Sequence, residues 1–436
     1  VKQTFRRCEA GSDRPGVRAV CAGSVGNFIE WYEFGVYGYF ATVIAARFFT
    51  PEGGSEAEAL VQTYASFALA FFFRPVGAAV FGRLGDRIGR RPVLILAVSL
   101  MTGATALIGL LPTYATAGAA APWLLTFLRV VQGLSAGGEF GGAVALMTEF
   151  APPGRRGLYG AWQSFTVALG LLGGAAIAAV TATVLTETQV QAWGWRLPFL
   201  LAAPLGLLAL WLRLGLEETP SFRRERGSAA AVVRPSGREV ARAIALGAGR
   251  VMGWSAAGYT FLVVLPSYLQ STLDASFQQA LIATVLANLG FAVTILPAGL
   301  LSDRIGRRPV MLAGALLVVV LALPLLDLLQ DTGASSVQKG AAVCGAGAVV
   351  GLMAGPGPAM LAEMFPTTVR HTGLGLAYAL SNAVFSGCAG LVITKAVERT
   401  GNADVPAYYA AVTCAVSVLA LATAPRVGRA AEREAG

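Results

Sequence analysis

Long apolar runs alternate with short charged segments along nearly the whole chain. Each run holds about 20 residues, enough at a rise of roughly 1.5 Å per residue to cross the hydrocarbon core of a bilayer, whereas the charged segments cannot lie there. The pattern predicts twelve helices, at about 19–46, 60–82, 92–112, 122–148, 158–184, 196–216, 244–270, 278–301, 309–329, 340–362, 371–395 and 405–425. The sixth and seventh are separated by the longest polar interval. The predicted organisation is a tail (1–18), a six-helix bundle (19–216), a linker with room for an amphipathic surface helix (217–243), a second six-helix bundle (244–425) and a short tail (426–436).

One charged segment occurs twice. Gly82–Pro92, GRLGDRIGRRP, returns 217 residues later as Gly299–Pro309, GLLSDRIGRRP, each time between two apolar runs. Glu149, Pro152 and Arg156 match Glu363, Pro366 and Arg370 at an offset of 214, so the duplication covers half-chains and not one loop. Together with GNFIEWYEFGVYGYF at 26–40 and LRVVQGLSAGGEFGG at 128–142, the doubled loop resembles the major facilitator superfamily of transporters, and within it the metabolite:proton symporter family. The resemblance runs from about residue 18 to about residue 425. It implies an all-α membrane protein of two pseudo-symmetric six-helix bundles around one site near the midplane, with alternating access by rocking of the halves.

Composition agrees: hydrophobic residues are 55% and charged residues 13%, against roughly a quarter charged in soluble domains. A net charge of +9 would suit nucleic acid if it lay on one surface, but its distribution points elsewhere. On the side of the repeat loops and both tails stand 25 Lys and Arg, against five on the other side (Arg47, Arg196, Lys339, Lys395, Arg399) and three within spans (Arg74, Arg129, Arg250). By the positive-inside rule the loops and both termini are cytoplasmic, the membrane is the cell (inner) membrane, and no nucleic-acid partner is implied. The cysteines (Cys8, Cys21, Cys344, Cys388, Cys414) form no CxxC, so neither a disulfide nor a metal site is expected. The single histidine, His371, stands at a helix start, which leaves no histidine relay in the membrane. The first apolar run is too long for a signal-peptide core and is expected to stay as a helix. No GxxxxGK[ST] loop is present, so a proton or ion gradient is the expected energy source, with no cofactor, no enzymatic activity and no obligate protein partner.

Of 24 acidic residues, only Glu30, Glu33 and Glu139 fall deep within predicted spans. Asn27, Glu30, Glu33 and Tyr37 recur every three or four residues, which places them on one stripe of the first helix. Carboxylates at that depth are costly, so the stripe faces a wet cavity or a basic partner; proton uptake and a purely structural ion pair are both open readings. The fourth helix holds Arg129, Gln132, Ser135 and Glu139, with Arg129 about 15 Å from Glu139 along the axis, a spacing that brackets a site. Glu139, flanked by glycines, is the expected main proton carrier, Glu33 the next, and Glu30 structural; for Arg129 the resemblance implies a part in proton transfer. Arg74 either reaches the cavity or snorkels to the interface. Gln163, Tyr259, Tyr378 and Asn382 complete the candidate substrate contacts, the alternative for each being a bond between helices.

Three intramembrane arginines favour an organic anion, a mono-, di- or tricarboxylate. The family also includes carriers of zwitterions such as proline and betaine, and a metabolite exporter is a further alternative. Osmosensory members often carry a long C-terminal coiled coil, whereas eleven residues follow Pro425 here, and this puts the carboxylate reading first. In the loops, Asp86 with Arg87, Arg90 and Arg91, and Asp303 with Arg304, Arg307 and Arg308, are candidate gates. The resemblance implies that Asp86 meets the N-terminus of a helix in the opposite half, where the positive helix end favours a carboxylate, with Asp303 as its weaker counterpart. Pro356 and Pro358 are expected to break the tenth helix as a hinge.

Overall fold

The computed structural model describes residues 15–51, 54–88, 90–137, 144, 151–152, 154–214, 237–365 and 370–423. Its long helices are α1 (Pro15–Tyr39), α2 (Glu56–Ile88), α3 (Arg90–Leu110), α4 (Ala120–Ala136), α5 (Arg156–Val184), α6 (Ala202–Leu214), α7 (Gly237–Tyr259), α8 (Phe277–Ile305), α9 (Arg307–Gln330), α10 (Ser336–Ala354), α11 (Arg370–Ser381) and α12 (Val405–Ala422). Among the described residues there is no strand. Among the described residues, nine helical segments are long and apolar enough to cross a membrane.

Lipid tails are as apolar as Leu, so hydrophobicity does not drive these helices together and close contact must. Two crossings show how. A Cβ on Gly133 of α4 would collide with the Ala70 carbonyl of α2, and one on Gly347 of α10 with the Ala287 carbonyl of α8. The two glycines are 214 residues apart, so the duplication read from the loops extends into the packing. It extends into irregular backbone too: one-turn π segments occupy Ala45–Phe49 after α1 and Thr260–Val264 after α7, 215 residues apart. The halves meet along α5 with α8 and along α2 with the π segment Asn382–Gly387 that follows α11. That last π segment has no counterpart in α5, which runs unbroken from Arg156 to Val184.

Three helical segments begin, on the face opposite the repeat loops, with capping boxes: Thr186 with Gln189, Ser276 with Gln279, and Ser335 with Gln338. Each satisfies two N–H groups that helix geometry leaves unpaired. Helix α7 begins at Gly237, seven residues before the expected start, because Arg238, Glu239 and Arg242 are tolerated on an exposed first turn, with Glu239 near the positive helix end. The tenth helix does break: α10 ends at Ala354 and a short helix resumes at Gly357–Glu363 after Pro356.

Candidate functional site

The deep charges of the first half come from three helices. Glu30 of α1 and Arg74 of α2 form a buried ion pair, Oε1 to Nη2 at 3.4 Å, with both side chains 6% exposed or less. Arg74 therefore does not snorkel to the interface; its guanidinium lies 4.3 Å from the Phe34 ring centre and 4.2 Å from that of Phe71. Arg129 of α4 is fully buried among three π faces, at 4.9 Å from Phe34, 4.1 Å from Tyr37 and 4.8 Å from Phe67. Such faces stabilise a cation without neutralising it.

Arg129 is joined to Glu33 by a chain of hydrogen bonds. Its Nη1 donates to Gln132 Oε1 at 2.7 Å, Gln132 Nε2 donates to Thr105 Oγ1 at 2.6 Å, and the Thr105 hydroxyl donates to Glu33 Oε2 at 2.7 Å. Thr102 donates to the other carboxylate oxygen at 3.2 Å. Glu33 thus has a donor at each oxygen. Neither Arg129 Nε nor Nη2 has a hydrogen-bond partner, and the same holds for Arg74 Nε.

Beside these charges lies a small cavity of about 30 Å³, between α1 and α5 of the first half and α7 and α11 of the second. Its walls are aromatic rings and small hydroxyls: Trp31 and Ser164 on one side, Trp254, Tyr259, Tyr378 and Ser386 on the other. Among the described residues no charged side chain lines it; the Arg74 guanidinium stands behind Trp31, 5.5 Å from that ring. Tyr259 and Tyr378 lie within electrostatic range of both Arg74 and Glu30. Tyr259 crosses from the second half into the aromatic cluster of the first, 5.4 Å from Phe71 and 6.1 Å from Trp31, and its buried hydroxyl has no hydrogen-bond partner.

The remaining predicted contacts are more local. Asn27 ties α1 to α5 by donating to the Gln163 carbonyl and to Thr166. Tyr37 shares a hydrogen with Ser66, and Asn382 bonds within its own helix, donating to the Tyr378 carbonyl and accepting from Ser386. Gln163 is fully buried with both amide atoms unpartnered. The residues that sequence reasoning missed are Trp31, Trp254, Ser255 and the two threonines of α3. Tryptophans and threonines in apolar helices resemble ordinary lipid-compatible filling; Trp31, Trp254 and Ser255 stand within about one turn of Glu30, Arg250 and Tyr259, whereas Thr102 and Thr105 stand near no candidate residue in the sequence. Glu139 lies outside the described residues.

At the repeat-loop face, Asp303 at the end of α8 reaches the N-terminus of α5 in the other half. Its carboxylate accepts from Gly157 N at 2.7 Å and Leu158 N at 2.9 Å, the free donors of a helix start. Arg307 holds the same carboxylate at 2.6 Å and Glu363 at 3.2 Å, while Arg308 donates to the last turn of α12 at Ala422. Arg304 is exposed. The side chains of Asp86, Arg87, Arg90 and Arg91 lie outside the described residues. On the opposite face the halves also touch, through Thr42 with Gln270, Tyr64 with Ser267 and Phe40 against Phe277. Contacts at both ends enclose the cavity between them.

Residues 19–241 match the family model described as sugar (and other) transporter, and residues 251–436 that of the major facilitator superfamily. The chain is 35% identical over 417 residues to the proline/betaine transporter of Escherichia coli K12, covering 92% of this chain and 82% of that one. It is 37% identical over 391 residues to the alpha-ketoglutarate permease of the same organism (87% of each chain), and 34% identical over 418 residues to the citrate-proton symporter of Klebsiella pneumoniae (94% and 92%). A solved structure of a proton:xylose symporter bound to 6-bromo-6-deoxy-D-glucose superposes with a TM-score of 0.75 at 19% identity, covering 93% of this chain and 94% of that one, a likeness of fold.

Proposed function

Because this chain belongs to the major facilitator superfamily, and is therefore a membrane transporter and not an enzyme, we propose that it imports a small organic acid together with a proton. The observation that carries this reading is the Glu30–Arg74 pair beside the cavity. Its 3.4 Å separation is longer than the roughly 2.8 Å of a tight ionic hydrogen bond. While Glu30 is ionised it neutralises Arg74; once Glu30 takes up a proton, the positive charge behind Trp31 is uncompensated and attracts a substrate carboxylate towards that wall of the cavity. Proton and anion then favour each other's binding, which is the thermodynamic content of symport. Glu33, already met by two hydroxyl donors, is the better candidate for a permanent counter-charge to Arg129. Glu139 remains the rival proton carrier. In this reading both termini and the repeat loops face the cytoplasm.

A second reading has its own support. Trp31, Trp254, Tyr259 and Tyr378 bring several π faces to one cavity, and such faces suit a quaternary or secondary ammonium. A zwitterion would then place its carboxylate towards Arg74 and its cationic end among the rings.

Uptake into proteoliposomes with an imposed inward proton gradient separates these readings. Labelled di- and tricarboxylates should accumulate uphill, and Glu30→Gln should abolish accumulation while preserving exchange of substrate across the membrane. Normal accumulation by Glu30→Gln, with loss in Glu139→Gln or Glu33→Gln, would move the proton site to that residue. Gradient-driven uptake of betaine or proline without the carboxylates would establish the second reading.

A further inference from the structure

The face opposite the repeat loops holds two arginines that the transport cycle does not use. Arg196 is fixed at the end of α3, where its Nη1 donates to the carbonyls of Gly109 at 2.9 Å and Leu111 at 2.8 Å. Its guanidinium lies 4.5 Å from the ring centre of Trp195. Arg47 belongs to the π segment after α1, and its chain neighbour Phe48 packs edge-on against the same indole at 5.5 Å. The two cations are near enough for the charge of one to act on the other.

Like charges brought together repel, and the repulsion grows as the surroundings become less polar. Among the described residues no carboxylate forms an ion pair with either arginine. Buried donors are left over as well: Arg47 Nε and the indole N–H of Trp195, a side chain with no exposed surface, have no hydrogen-bond partner. Buried donors are nearly always satisfied in folded proteins, so unmatched ones beside two cations call for an acceptor that carries negative charge. Only five Lys and Arg are expected on this face, and two of them lie within electrostatic range of each other here.

We infer that Arg47, Arg196 and Trp195 form a binding site for one oxyanion of the phosphate type, separate from the central cavity. Around it, Leu110, Trp193 and Leu197 are large and exposed, 45% or more, as on a surface turned to lipid. A phosphate there can belong to the headgroup of an anionic phospholipid or be free in solution. Both have the same chemistry: oxygens that accept forked bonds from guanidinium groups. The site lies wholly within the first bundle, so an occupant would stay in place while the halves rock.

The test uses the full chain in neutral-lipid nanodiscs, titrated with phosphatidylglycerol in one arm and inorganic phosphate in the other, with retained ligand read by native mass spectrometry. Wild type should hold one phosphate-bearing ligand at least about tenfold more tightly than Arg47→Gln, since a charge-assisted bond is lost. Arg47→Lys should recover part of the difference. Retention of phosphatidylglycerol alone identifies a lipid site, and displacement of it by free phosphate identifies a soluble oxyanion as sufficient; both support the inference. Arg196→Gln removes the cap of α3 and can fail to fold, so Arg47→Gln decides. Equal retention of both ligands by wild type and Arg47→Gln would overturn the site.

Discussion

Glu30, Arg74 and Arg129 show at the scale of single residues how the same charge does different work in different surroundings. Arg129 lies among three π faces and is connected through Gln132 and Thr105 to Glu33, whereas Arg74 has a direct carboxylate partner and stands next to the cavity wall. Arg74→Lys keeps the charge but loses the planar fork and its stacking on Phe34 and Phe71. Its carboxylate affinity, measured by equilibrium binding in detergent, should fall at least about tenfold, the equivalent of one ionic hydrogen bond. Unchanged affinity would remove Arg74 from the substrate site. The Glu30 and Glu33 stripe was legible in the sequence because a spacing of three or four residues defines a helix face. That Glu30 pairs with Arg74 was not, since the two are on different helices and periodicity says nothing about which helices adjoin.

At the scale of elements, the close crossings of α2 with α4 and of α8 with α10 depend on missing side chains. Gly347→Ala would drive a Cβ into the Ala287 carbonyl, and an overpacked contact of this kind costs about 1–3 kcal/mol. Gly345, two residues away in the same helix, has nothing within 4 Å of where a Cβ would stand. Gly345→Ala should therefore be neutral or slightly stabilising, because it gains helix propensity at no steric cost. Thermal unfolding in detergent should lower the midpoint of Gly347→Ala and leave that of Gly345→Ala in place or higher; equal midpoints would mean that α10 shifts freely on α8. Glycine content made small-residue packing legible. Which glycines touch backbone depends on the rotation of each helix about its axis, and that is set by its neighbours.

The whole molecule is held at both ends of its cavity, and Asp303 is the described link on the repeat-loop face. Asp303→Asn retains the shape but weakens two charge-assisted bonds to the α5 N-terminus and the bond from Arg307. The balance should shift about tenfold towards states open on that face, slowing net transport while substrate affinity changes little, because a conformational bias and not a ligand contact is lost. Distances between spin labels placed on α5 and α8 at that face would report it. A variant with wild-type distances and lost binding would place Asp303 in folding or in the site instead. The same exchange at Asp86 is expected to act more strongly.

Sequence alone determined that this chain lies in a membrane, that it is two copies of one half-chain, and, among the described residues, which few charges are buried. Those properties follow from the lengths of apolar runs, from repetition at one offset and from the cost of charge in hydrocarbon, all of which act along a single strand of sequence. Only the tertiary structure decided that aromatic rings separate the arginines from the cavity, that Asp303 reaches across to α5, and that Arg47 lies within electrostatic range of Arg196. Each of these joins helices far apart in the chain, and the hydrophobic period that orients one helix towards the interior is the same whichever helix stands beside it.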